Sequence, residues 1–159
     1  KIGDKVTDLK QNNEFPNIAV DAESKLAPEL ANEAHYYRAK ALLAEGQNKE
    51  AAGDLAVLAK DTRNVYGAEA KYLLAQLYFD NGETGKAEKE VLDYIEVSTP
   101  HAYWLARSFV LLSDVYMKLG RNLDAKQYLL SLQQNYQADD DIAEMIETRL
   151  AKLNKGSKQ

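Results

Sequence analysis

The chain has no cysteine among its 159 residues, so neither a disulfide framework nor a thiolate metal site can organise it. That absence fits a reducing and an oxidising compartment equally. Histidine is nearly as scarce: His35 and His101 stand apart, outside any ligand spacing such as His-x3-His. Only three prolines punctuate the chain, and no apolar run approaches the ~20 residues that a membrane-spanning helix requires. Positive charge is outnumbered, 20 Lys and Arg against 25 Asp and Glu, and it alternates with acids instead of clustering, which does not suit a phosphate backbone. Nucleic acid is set aside as a partner.

Catalytic and cofactor signatures are missing as well. The stretch DNGETGKAE around Gly82 and Gly85 resembles a phosphate loop only superficially, because the Walker spacing and the preceding strand are absent. Ser108, Ser113 and Ser131 lie inside helical patterns without an elbow motif, and Glu88 and Glu90 project to different sides of a helix. The expectation is a non-enzymatic chain with no catalytic residue, no cofactor and no metal. Asp139, Asp140 and Asp141 invite a calcium reading, yet the alternating ligands, the central glycine and the closing glutamate of such a loop are lacking. These acids precede Ile142, Met145, Ile146, Leu150 and Leu153, which share one helix face, so they are expected to cap a closing helix.

What the chain does contain is a recurring hinge. Gly46 is followed by Ala51, Gly82 by Ala87 and Gly120 by Ala125, each time between two amphipathic stretches. The glycines suit helix C-caps with positive φ, so Gly82→Val is expected to cost stability, and the alanines let two helix backbones approach. Units of this length belong to helix-turn-helix arrays, in which no single unit can bury its apolar face without a neighbour. Composition agrees with a folded helical chain, at 45% hydrophobic and 28% charged.

On these residues the chain resembles the tetratricopeptide repeat. Leu74, Ala75, Tyr78, Gly82, Ala87 and Val91 match its pattern in the second unit, and Phe109, Leu112, Ser113, Tyr116, Gly120, Ala125 and Leu129 match it in the third. The first unit is looser: Ala39, Leu42, Gly46, Ala51 and Leu55 fit, whereas His35 and Arg38 depart from it. Leu58, Tyr94 and Leu132 stand where the family places another alanine. The resemblance implies an all-α, right-handed helical-hairpin solenoid in one domain spanning 1–159. Its expected parts are a degenerate repeat over 1–27, repeats over 28–64, 65–98 and 99–137, and a capping helix over 139–154. Pro28 and Pro100 are each expected in the first turn of a helix. Lys155 to Gln159 should form a frayed polar tail. Because Lys1 opens the sequence without methionine or a signal-like segment, the chain is expected to be a piece of a longer protein.

In such arrays the first helix of each unit lines a concave groove. The resemblance therefore implies a protein-binding surface that includes Tyr36 and Lys40, then Tyr72, Gln76, Phe79 and Asp80, then Arg107, Asp114, Met117 and Lys118, with Glu33, Leu43, Glu69 and Val110 alongside. The implied partner is a peptide or helix of another protein; a structural spacer that self-associates is the alternative. Tyr78 and Tyr116 occupy the family's packing positions and are expected in the core. Trp104 is expected to brace the second unit against the third, or else to be an exposed anchor. The carboxylate clamp of chaperone-tail receptors would fall on Tyr36, Lys40, Leu73, Arg107 and Leu111, where only Arg107 has suitable chemistry, so that activity is not expected. The tyrosine-rich first helices look most like the bacterial envelope members of the family, which implies a periplasmic or envelope setting.

Overall fold

The computed structural model describes residues 27–97 and 99–157. Among the described residues it is all-helical, with seven helices and no strand. They are α1 (Ala27–Ala44), α2 (Asn48–Leu58), α3 (Val65–Asp80), α4 (Thr84–Glu96), α5 (Ala102–Lys118), α6 (Asn122–Asn135) and α7 (Ile142–Ser157). The degenerate repeat expected over 1–27 lies outside the described residues, apart from Ala27 at the head of α1.

Three of the connections are built alike, and the sequence explains why. Gly46, Gly82 and Gly120 take φ of 77, 81 and 77°, a conformation in which the Cβ of an L residue would crowd the backbone. Around each glycine two hydrogen bonds close the preceding helix. The glycine N–H reaches the carbonyl three residues back, on Leu43, Phe79 or Met117. The next N–H, on Gln47, Glu83 or Arg121, reaches Leu42, Tyr78 or Tyr116. This is the Schellman pairing, which satisfies carbonyls that a helix end would otherwise leave bare. That next residue is also the N-cap of the following helix, with φ,ψ of −88,66°, −87,63° and −94,63°, and its carbonyl accepts the N–H of Ala51, Ala87 or Ala125. All three alanines are fully buried. A single residue thus ends one helix and begins another, leaving no slack in the turn.

Each helix packs on its neighbours in sequence, and α1, α3, α5 and α7 also contact one another in succession. No even-numbered pair has comparable contact among the described residues. Two apolar clusters result. One gathers Ala39, Leu55, Leu58, Ala70 and Leu74; the larger runs from Tyr72 through Val91, Leu112 and Leu129 to Ile142 and Leu153. Leu73 and Tyr78 pack against both and join them. Leu58, Tyr94 and Leu132, the large residues where the repeat pattern has alanine, are all buried, Leu58 and Leu132 within the two apolar clusters. Tyr116 is core, while Tyr78 is half-buried at the junction.

The ends differ in detail from the sequence expectation. Pro100 precedes the N-cap of α5, which is His101, and so lies outside the first turn. His101 donates from Nε2 to the Arg63 carbonyl at 2.8 Å, and the Thr99 hydroxyl donates to the Thr62 carbonyl at 2.8 Å, so this loop is held by the α2–α3 loop instead of by a proline-initiated turn. The cap of α3 is Asn64, whose side chain accepts from Tyr66 and Gly67 N–H. Before α7, Asp140 Oδ1 accepts from Ile142 N–H at 2.9 Å, a capping role for the acidic run. Helix α7 then continues through Lys155 and Gly156 to Ser157, past the expected end at 154 and into the stretch expected to be a frayed tail, because no proline stands there and Leu153 anchors its last turns.

Candidate functional site

Because α1, α3, α5 and α7 contact one another in succession, their facing side chains meet across helix boundaries. At the first boundary Tyr36 and Lys40 of α1 both donate to Glu69 of α3, at 2.9 Å each and to different carboxylate oxygens. Burial and the adjoining Glu69 carboxylate push the Tyr36 phenol up to about 12. At the second boundary Arg107 of α5 lies with its guanidinium 5.1 Å from the Tyr72 ring centroid and 6.0 Å from that of Trp104. The Tyr72 and Trp104 ring centroids lie 5.7 Å apart, so Trp104 packs between α3 and α5. Arg107 also donates to Tyr103 Oη at 3.1 Å, and Tyr103 donates to Asp141 at 2.9 Å. At the third boundary Arg149 of α7 makes two bonds to Asp114 of α5, at 2.8 and 2.9 Å.

These ties decide what the expected groove residues offer a partner. Tyr72 is 7% exposed; its hydroxyl donates to Gln76 and its ring is spent on Trp104 and Arg107. Tyr36, Lys40 and Asp114 are engaged across helix boundaries, although the Lys40 head is half in water. Gln76 donates to Asp80 along α3 at 2.8 Å. Phe79, Met117 and Lys118, by contrast, come together at the ends of α3 and α5. The Lys118 ammonium lies 5.4 Å from the Phe79 ring centroid, and all three line a cleft of about 660 Å³ with Asp114.

The opposite wall of that cleft comes from α7: Thr148, Arg149, Lys152 and Leu153. They lie on the helix expected only to cap the array and are absent from the groove that the resemblance implies. A signal was present, because Arg149 falls within the apolar stripe Ile142–Met145–Ile146–Leu150–Leu153, and a charge in such a stripe needs a partner. His35, which departs from the repeat pattern, bonds Asp54 at 2.8 Å through Nδ1, beside Arg38, which also grips Asp54. That cluster joins α1 to α2. No group of three His, Cys, Asp or Glu able to hold a metal occurs among the described residues, and no helix of theirs is long and apolar enough to cross a membrane.

Comparison of the chain with protein-family models, with curated proteins and with solved structures finds no match. Any functional conclusion therefore rests on the chain's own geometry.

Proposed function

We propose that the chain is a non-enzymatic helical-repeat module of the tetratricopeptide type, a right-handed solenoid that binds a peptide or helix of another protein on the face formed by α1, α3, α5 and α7. The observation that carries this reading is the threefold recurrence of one turn: positive φ at Gly46, Gly82 and Gly120, the same two closing hydrogen bonds, and a fully buried alanine five residues on. A turn repeated to this degree makes units that stack in one sense. The contact of odd helices with one another, without comparable contact among even ones, supports a stack curved toward the odd side. Residues on the inner side of such a curve converge on whatever occupies it, and the shared cleft of Phe79, Met117 and Lys118 supports that role for them.

One observation favours the spacer role instead. Tyr72, through Trp104 and Arg107, and Tyr36 and Asp114 are committed to ties between helices, as they would be in a segment whose work is to stay rigid. A photo-crosslinking residue at Met117, with a control at exposed Lys89 on α4, separates the two. Adducts with foreign peptides or proteins from Met117 alone are the expected result. Adducts only with copies of the same chain, or none, would select the spacer.

A further inference from the structure

We propose that the cleft between the ends of α3, α5 and α7 takes an acidic peptide segment bearing one large apolar side chain, a specificity that rests on the peptide-binding role above. Its floor is apolar, formed by Phe79, Met117 and Leu153, and its volume of about 660 Å³ falls in the range of formed ligand sites. Its rim is cationic. Lys118, Arg149 and Lys152 face a single carboxylate, Asp114, in a chain whose net charge is −5. Both oxygens of that carboxylate are taken by Arg149.

Lys118 and Lys152 are exposed, and neither has a carboxylate within ion-pair distance among the described residues; Lys118 has only the Phe79 face. Two ammonium groups without a carboxylate partner among the described residues, beside a half-buried phenylalanine and methionine, are complementary to a carboxylate placed next to an aliphatic or aromatic side chain. Methionine, with a soft and unbranched side chain, adapts to either. A basic segment would meet Lys118 and Lys152 with like charge and be rejected. The charge complement is local, because elsewhere on the odd-helix face the cations Lys40 and Arg107 are already engaged, by Glu69 and by the Tyr72 and Trp104 rings.

The test uses the peptide Glu-Glu-Phe-Glu-Glu-amide carrying fluorescein on its N-terminal amine, its counterpart with lysine for every glutamate, and the intact chain. Fluorescence anisotropy should report binding of the acidic peptide only, weakened by salt. Combining Lys118→Glu with Lys152→Glu should weaken it at least about tenfold. Both side chains are exposed, so the thermal melt of the double variant should match that of the parent. The chain has two methionines, Met117 and Met145, so methyl labelling gives two resonances, and that of Met117 should shift on binding.

Equal binding of the lysine peptide, or acidic-peptide binding that ignores the double variant and leaves the Met117 methyl unmoved, would overturn the assignment. A random-peptide display selection separates the two levels of the claim. Enriched peptides that are not acidic and do not depend on Lys118 and Lys152 would overturn this specificity and leave peptide binding standing, whereas no enrichment at all would overturn both.

Discussion

Arg149 on the closing helix and Asp114 on α5 form a two-pronged pair, with bonds of 2.8 and 2.9 Å between side chains 26% and 25% exposed. A guanidinium matches a carboxylate in this planar geometry, and an ammonium cannot. The pair is neither fully wet nor fully buried, so its loss falls between the surface and buried regimes. Arg149→Ala is expected to cost about 1–3 kcal/mol, and Arg149→Lys to recover only part of it. Urea unfolding measures the total. Hydrogen exchange should place the loss in α7, with faster exchange of its amides than in α3.

At Gly82 the expected cost is conformational alone. A Cβ built there would meet no heavy atom within 4 Å beyond its immediate chain neighbours, yet φ is +81°. Gly82→Ala should therefore destabilise by about 1 kcal/mol, Gly82→Asn by less, and Gly82→Val by more because branching at Cβ narrows the backbone further. Equal melting temperatures for the alanine and asparagine variants would contradict a left-handed turn at this position.

Gly67 and Gly53 should respond with opposite signs to the same change. At Gly67, near the start of α3, a new Cβ would run into the Asp61 carbonyl oxygen and lie 2.6 Å from that of Leu58, both backbone atoms with no rotamer to yield. Gly67→Ala is expected to cost about 2–4 kcal/mol. Gly53 lies within α2 and has open space around it, so Gly53→Ala should stabilise by about 0.5–1 kcal/mol through its helix propensity. Denaturant midpoints of the two variants, moving down and up respectively, check both.

The turns were legible in the sequence because glycine at a helix C-cap answers a strictly local demand. Gly46, Gly82 and Gly120 are set apart from Gly53 and Gly85 by the amphipathic stretches on either side and the alanine that follows. Local demands also made the acidic run before Ile142 readable as a cap. The ties between helices were not legible, since they depend on which turn of α5 meets which turn of α7. Asp114 and Arg149 are 35 positions apart, and only the packing of α5 on α7 brings them together. The same holds for Tyr72. Its spacing puts it on the face shared with Gln76 and Phe79, but the approach of Trp104 and Arg107 from α5 is what covers it. The sequence placed Phe79, Met117 and Lys118 on first helices without indicating that α7 would close a cleft around them.

Asp54 is the most buried acid of the α1–α2 interface, 5% exposed, and accepts from Arg38 and His35. Burial alone would raise its pKa, but the Arg38 and His35 hydrogen bonds outweigh burial and hold the carboxyl below its ordinary 3.8. A depressed folded-state value means that the unfolded chain takes up the proton first. The stabilisation is therefore complete above the ordinary value and lost as pH falls through the lower, folded one. Asp54→Asn removes the charge at every pH. At neutral pH it should cost about 1–2 kcal/mol, the lower part of the range for charge-assisted bonds, because the Arg38 head is mostly in water and regains hydration. Urea unfolding of both proteins at steps from pH 7 down to about 2.5 should show the curves converging below pH 4. Parallel curves throughout would mean that Asp54 contributes by packing and not by charge.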